Sequence, residues 1–401
     1  MISQEWSMKR LVLVAAVAVM QAVGLRAQQY IEPAYKIRSV KDVFYGTAKR
    51  FDGGTDSLKM NIFMPTNDNA SSRPLVMWIH GGGFIQGSRA DFNSLCETWA
   101  KRGYTAVTIS YRLGIHGGLL DPPFAYDEAE LIRACFRGIQ DVRGGLRFLV
   151  KNAAAYGIDA SRIVIGGASA GSIIAMHTAF VDALDTVPRA IGRISDVTRL
   201  TGIFARPELG SVDGDLHTDV PTPGLDVVLN IFGALLDLDY LAGAPFVPMY
   251  SYHQTDDPVV ACGVNRAYHG VGLISGAYPY LSGTCAIREE LKRRGIPEAD
   301  REMTIYQGAA HDVHDPAGID RTAAVFASKR MTPTTRVNDD DHMPTGLLDG
   351  RWTLSTLDGR LSAIDADYET LRAMHDGVYL AARGDLRRMV LIHNGAIAVA
   401  R

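Results

Sequence analysis

Arg162-Ile-Val-Ile-Gly-Gly-Ala-Ser-Ala-Gly-Ser-Ile-Ile-Ala-Met-His-Thr178 is the stretch from which the rest of the chain can be read. Ile163, Val164 and Ile165 form a short β-branched run, and Ser172 to Phe180 is apolar enough for a buried helix. Between them Gly167-Ala-Ser-Ala-Gly171 spells Gly-x-Ser-x-Gly. A serine on a sharp strand-to-helix turn has strained backbone angles, and the residues two places either side must be nearly free of side chain. The helix that follows aims its N-terminal N–H groups and positive dipole end at the serine. In a chain with 40 glycines the five-residue pattern alone is weak. The strand before it and the helix after it give it meaning.

Working outward, Pro74 to His80 and Thr105 to Tyr111 read as strands, the first a continuous apolar run of the kind covered on both faces. Val40 to Tyr45 and Leu58 to Met64 are earlier strands, and Leu200 to Phe204, Phe246 to His253 and Met303 to Tyr306 are later ones. Asp91 to Arg102 reads as a helix capped by Asp91. Tyr126 to Tyr156 is helical with Gly144-Gly145 as an interruption. Strands alternating with helices predict an α/β fold with a mainly parallel central sheet flanked by helices. Residues 205–245 break the alternation with an acidic loop (Asp213-Gly214-Asp215) and an apolar helix around Leu225 to Tyr240. Over the carboxyl ends of the strands this would be a small lid, while the competing reading is a crossover helix with a long loop.

The chain of 401 residues fits one α/β domain, 28–330, followed by a linker and a small β-rich C-terminal domain, 331–401. With 41 basic and 44 acidic residues, nothing favours nucleic acid as a partner. Lys9-Arg10, the apolar run Leu11 to Val19 and the small and polar residues to Ala27 have the layout of a signal peptide spanning 1–27. That implies an exported protein of the periplasm, cell surface or exterior, without stable membrane insertion. Of the four cysteines, Cys96 and Cys135 fall in predicted helices as buried thiols, and Cys262 and Cys285 bracket a Gly/Tyr-rich insertion that an oxidising compartment would allow to bridge.

His80-Gly-Gly-Gly-Phe84 follows directly on a strand. Acyl transfer passes through an oxyanion that needs preorganised donors, and consecutive glycines let N–H groups converge. Gly82 and Gly83 are the expected donors, with Ala170 as the third. A phosphate-binding loop would require a Lys-Ser/Thr pair that is missing here. A serine hydroxyl needs a base held by a carboxylate. Past Ser169, Asp257 ends a strand-and-turn segment before Pro258, with Asp256 as the alternative acid; His311 follows another strand after small residues. His311-Asp-Val-His314-Asp315 can also be drawn as a metal cluster, but no further ligand source lies at suitable spacing. The expected site is therefore free of metal and cofactor. His177, His217 and His269 are expected to be structural or solvated.

His80-Gly-Gly-Gly-Phe84, Ser110-Tyr-Arg-Leu-Gly114, Gly157-Ile-Asp-Ala-Ser-Arg-Ile163 and Gly167-Ala-Ser-Ala-Gly171, in that order, resemble the α/β-hydrolase carboxylesterases, and most of all their secreted bacterial esterase and feruloyl/acetyl esterase-like members. The resemblance covers roughly residues 40–327. It implies an α/β-hydrolase fold, a Ser169–Asp257–His311 triad and an oxyanion hole of Gly82, Gly83 and Ala170. It also implies a small-molecule or polysaccharide-linked ester as substrate. Phe84, Tyr111, Tyr126 and the lid around Leu225 to Tyr240 suggest an apolar, aromatic-lined pocket. The turn His253-Gln-Thr-Asp-Asp257 resembles the compact hydrolases, which carry His-Gly-Thr-x-Asp there, rather than the longer type-B enzymes with a glutamate acid. In the tail, a predicted hairpin around Asp358-Gly359 and strands at Gly377 to Asp385 and Met389 to His393 resemble the sorting domain of type IX-secreted proteins, which implies a secretion machinery as partner; the alternative is an accessory β-unit packed on the enzyme. Two other functions compete with the esterase reading. A serine peptidase would need a peptide-recognition domain, and a non-catalytic binding protein would be expected to lack one of Ser169, Asp257 and His311.

Overall fold

Apolar runs without polar alternation make strands covered on both faces, and eight strands of this chain join one sheet. A computed structural model describes residues 30–68, 70–118, 124–182, 187–199, 202–243 and 245–331, and the backbone of five strands beyond residue 351. The expected signal peptide, 1–27, and most of the expected linker lie outside the described residues. The strands of the large sheet are β1 (Lys36–Lys49), β2 (Thr55–Thr66), β3 (Arg73–Ile79), β4 (Thr105–Ile109), β5 (Ile158–Ala168), β6 (Val227–Ile231), β7 (Met249–Gln254) and β8 (Arg301–Tyr306). Their spatial order is β1-β2-β4-β3-β5-β6-β7-β8. Within this sheet β2 runs against its neighbours and the other strands share one direction. This is the α/β-hydrolase arrangement.

Helices cover both faces. α2 (Glu128–Lys151) and α3 (Ala170–Phe180) pack on one, where Leu131, Ile139, Leu146 and Ile174 meet Met60, Ile109 and Ile165. α1 (Asn93–Lys101) and α5 (Pro316–Met331) cover the other, around Trp78, Trp99, Tyr104 and Phe326. A further helix, α4 (Thr284–Arg293), buries Ile287 and Leu291 on the first face. Every residue of β3, β4, β6 and β7 is buried. No helix among the described residues is long and apolar enough to cross a membrane.

Four expectations are corrected. The cap before α1 is Ser88, which accepts from the Ala90 N–H, while Asp91 completes the reciprocal half of a capping box by accepting from the Ser88 N–H. Gly144-Gly145 do not interrupt α2. They let it press against neighbours: a Cβ at residue 144 would lie 2.7 Å from the Leu216 Cβ, and one at 145 would collide with Ile109. The segment Leu200 to Phe204 is no strand of the core. Residues 194–199 and 202–206 make a separate antiparallel pair.

The largest correction concerns the expected lid at 205–245. The apolar run around Leu225 is not a helix, since Val227–Ile231 is β6, paired with β5 on one side and β7 on the other. Short apolar runs fit a buried helix or a buried strand equally by periodicity, and β-branched Val227, Val228 and Ile231 decide for the strand. The residues before it run along α2. Arg133 donates to the Pro207 carbonyl, Gln140 to those of Leu209 and Ser211, and Arg147 to those of Asp213 and Leu216. Lys151 then pairs with Asp219 at the far end of the helix. The segment is a strap descending one helix, so it does not roof the strand ends.

His177 lies on the buried side of α3. Its Nδ1–H donates to the Ile173 carbonyl (2.7 Å), and its Nε2 accepts the Leu236 N–H (3.1 Å). That pairing requires the neutral ring. Residues 333–401 form a second unit. Its strands 352–356, 361–366, 377–383, 386–393 and 396–399 make an antiparallel sheet with Leu361–Ala366 at one edge and Ala396–Val399 at the other. The Asp358-Gly359 turn lies outside the described residues.

Burial brings His177 down to about 4 from its ordinary 6.5. The unfolded chain therefore binds more protons between pH 6.5 and 4, and stability must fall as pH drops through that window. The expected loss from His177 is about 3 kcal/mol by pH 4. Urea unfolding followed by the fluorescence of core Trp78 and Trp99 should show it, and His177→Gln should flatten the pH dependence.

Candidate functional site

The ends of β3, β5, β7 and β8 bring together the residues singled out from the sequence. Ser169 follows β5 directly and takes φ 54° and ψ −124°, a region that costs a non-glycine residue strain. The turn survives because its flanks are bare. A Cβ at Gly171 would collide with the carbonyl oxygens of Ile79 and His80, and one at Gly167 would lie 2.7 Å from the Ser172 nitrogen. The Ser169 N–H donates to the Ile231 carbonyl (3.0 Å), and its carbonyl accepts from Ile173 (2.9 Å) at the start of α3.

His311, five residues past β8, receives the Ser169 hydroxyl. Ser169 Oγ is 2.8 Å from His311 Nε2, and His311 Nδ1 is 2.7 Å from Asp257 Oδ2. An acceptor carboxylate at Nδ1 fixes the proton there, so Nε2 is free to accept the serine proton. Asp257, in the turn after β7, is fully buried. Burial raises its pKa, but hydrogen bonds from His253 and His311, the charge of His311 and the Val259 N–H outweigh it and bring it to about 2. The other oxygen, Oδ1, accepts the N–H groups of Val259 (2.8 Å) and Val260 (3.0 Å). Asp256 is not in the relay; its carboxylate accepts from Thr255.

The glycine turn after β3 stands against the serine. The Gly82 carbonyl bends back to accept from Ile85 (3.1 Å) and Gln86 (3.0 Å), and a Cβ on Gly81 would lie 3.3 Å from the Ser169 Cβ. The N–H groups of Gly82, Gly83 and Ala170 have no protein acceptor among the described residues. Phe84 and Tyr111, expected as pocket walls, are buried instead. The Tyr111 hydroxyl donates to the His80 carbonyl (3.0 Å), and the Phe84 carbonyl accepts from Gly114 (2.8 Å), so both brace the turn from beneath. Tyr126 is partly exposed, with the Arg206 guanidinium 5.5 Å over its ring. Two other aromatics flank the relay. Phe232 meets His311 edge-on at 4.7 Å, and the Tyr268 hydroxyl would lie 2.6 Å from a Cβ on Gly83.

A polar chain behind the site was not anticipated. Ser172 Oγ donates to Asn230 Oδ1 (2.6 Å), and Asn230 Nδ2 donates to Ser251 and Thr284 (both 3.1 Å). Thr284 in turn reaches His253 Nδ1 (3.1 Å). The His253 Nε2–H donates to the Val260 carbonyl (2.7 Å) and lies 3.4 Å from Asp257. The one sequence signal was Asn230, a lone amide inside an apolar strand run. His314 turns away from the relay: its Nδ1 bonds the Tyr252 hydroxyl (2.9 Å) and its ring stacks on Tyr306 at 3.7 Å. His217 reaches the Tyr45 carbonyl through Nε2.

Cys262 and Cys285 are joined in a disulfide that closes the loop carrying Tyr268. Cys96 and Cys135 are free and buried, and burial pushes both thiols well above their ordinary range.

Residues 26–192 match the carboxylesterase family. The chain is 30% identical over 117 residues to a fumonisin B1 esterase of Sphingopyxis macrogoltabida, covering 29% of this chain and 22% of that protein. It is 36% identical over 117 residues to pyrethroid hydrolase Ces2a of Mus musculus, covering 29% of this chain and 20% of that protein. The matched part thus spans about a fifth of the length of these relatives. Among solved structures, a butyrate-bound esterase 2 of Thermogutta terrifontis superposes with a TM-score of 0.43 at 19% identity, covering 74% of this chain and 92% of that one.

The disulfide spans a sequence separation of 23. Closing a loop of that length constrains the unfolded chain by about 3 kcal/mol. The double variant Cys262→Ser/Cys285→Ser should unfold at lower urea by that amount, read as the product of midpoint and slope.

Proposed function

We propose that this protein is a serine hydrolase of carboxylic esters that works through an acyl-enzyme. The observation that carries this reading is the relay itself: a buried carboxylate, an imidazole and a serine hydroxyl in successive contacts of 2.7 and 2.8 Å, at the N-terminus of a helix. In this reading His311 Nε2 takes the Ser169 proton as Oγ bonds to the ester carbonyl carbon. The N–H groups of Gly82, Gly83 and Ala170 hold the resulting oxyanion. The intermediate collapses, the C–O bond to the alcohol breaks, and the alcohol leaves with the proton from His311. Water then repeats the sequence, giving its proton to His311 and releasing the acid. Asp257 stays ionised and stabilises the imidazolium.

The acyl group proposed is short or aromatic, of acetyl or feruloyl type, on a small molecule or a polysaccharide. The flat walls offered by Phe232 and Tyr268 support it. The activities named for the matched relatives, both hydrolases, support ester cleavage more broadly. The disulfide supports work outside the cytoplasm, after export by a segment such as 1–27. For residues 333–401 we propose a sorting role; its small antiparallel sheet is compatible with an address read by a secretion machinery.

With p-nitrophenyl acetate, Ser169→Ala should lose turnover by about 10⁵-fold or more. Asp257→Asn should lose about 10⁴-fold, because the ring is then held in the wrong tautomer. A fluorophosphonate should label the parent on Ser169 and leave Ser169→Ala unlabelled. Full turnover by Ser169→Ala would refute the nucleophile, and a panel varying acyl length and aromatic acids decides the substrate class.

A further inference from the structure

Four guanidinium side chains, Arg112, Arg133, Arg137 and Arg206, line one cavity of about 470 Å³ between α2, the chain at residues 48–51 and the start of the strap. Each of the four residues is more than nine-tenths buried. Their carboxylates do not balance them. Arg112 is matched by Asp141 at 2.8 Å, and Arg206 by Asp127 at 2.8 Å and Glu130 at 3.1 Å. Arg133 and Arg137 have no carboxylate within ion-pair distance among the described residues. Arg133 gives its donors to the carbonyls of Ala190, Gly192 and Pro207, and Arg137 Nη2 gives one to Gly114 (2.8 Å).

Two of the residues lining the cavity carry a polar atom that is closed off from its open space and has no protein partner. Arg137 Nε and His116 Nε2, both on buried residues, have no hydrogen-bond partner among the described residues. A buried polar atom without a partner is costly, and a buried unpaired cation more so. Burial, with repulsion from Arg112 and Arg133, holds Arg137 at about 10 in spite of Glu130. The surplus is positive, so a cation has no place here and a neutral molecule would leave the charge unmatched. Guanidinium forks match the oxygens of phosphate in particular. Glu208 and Asp215 also line the cavity, but both are exposed at its rim, where water screens them.

We propose that this cavity is a binding site for a multivalent oxyanion of the phosphate class, separate from the Ser169 relay. None of Ser169, Asp257, His311, Gly82 and Gly83 lines it. The cavity is roomier than a bare tetraoxo anion needs, so a phosphate monoester fits the same chemistry as free phosphate.

Calorimetric titration of sodium phosphate into the full chain, at ionic strength fixed with sodium chloride, should give one saturable event. Ser169→Ala should bind equally, which keeps this test apart from the esterase proposal. Arg137→Gln should weaken binding tenfold or more. Glycerol phosphate binding tenfold tighter than phosphate assigns the site to a monoester, and equal or weaker binding assigns it to the free anion. Should Arg137→Gln not fold, the Tm of the parent decides: it should rise saturably in either phosphate over chloride of equal ionic strength. No saturable heat and no such rise with either probe overturns the proposal, as does a folded Arg137→Gln that keeps the parent's affinity.

Discussion

There is no room for one more carbon atom where the first turn of α3 meets the end of β3. The Gly171 Cα lies against the carbonyls of Ile79 and His80, and this approach sets the distance between the serine turn and the glycine turn. Helix and strand must be that close for N–H groups from both to surround a single point. The strain at Ser169 is sustained by the same packing, since its N–H is tied to β6 and its carbonyl to α3. Local sequence, backbone angle and the meeting of two elements are here one constraint.

Asp257 extends the constraint two strands along the sheet, to the turn after β7. An ionised carboxylate without access to water must be compensated by donors, and it has three, His311 and two N–H groups of its own turn, with the His253 ring 3.4 Å away. His253 can serve only because Thr284 and the Val260 carbonyl fix its ring, and Thr284 is held by Asn230. The polar chain thus links β6, β7 and α4 behind the relay, with each member satisfied, as a buried network must be. A fault at Asn230 would be felt at His311 through three intermediaries.

How much of this could be read beforehand depended on whether the signal was local. The serine turn, the glycine turn and the positions of Asp257 and His311 follow strong apolar runs, and short-range pattern suffices for those. Val227–Ile231 failed because a short run of four apolar residues around Asn230 satisfies helix and strand alike, and the choice rests on a gap between β5 and β7 that no local pattern reveals. The strap was misjudged for a related reason: its partners are arginines and a glutamine on a helix some seventy residues earlier. Gly144-Gly145 looked like a break, because the need for a neighbour's close approach is invisible in one dimension. Asn230 and Thr284 are ordinary residues until the fold brings them together.

The strap has a consequence for how this chain tolerates change. Arg133, Gln140 and Arg147 grip it by main-chain oxygens, which every amino acid supplies, and its apolar insertions are Val212, buried in the core, and Leu216, set against Gly46 and Gly144. Its side chains are therefore released from most of the duty of holding it in place. Evolutionary drift can run fast along residues 207–222 while the helix beneath stays fixed, so that lineages of this chain would differ most where their architecture differs least.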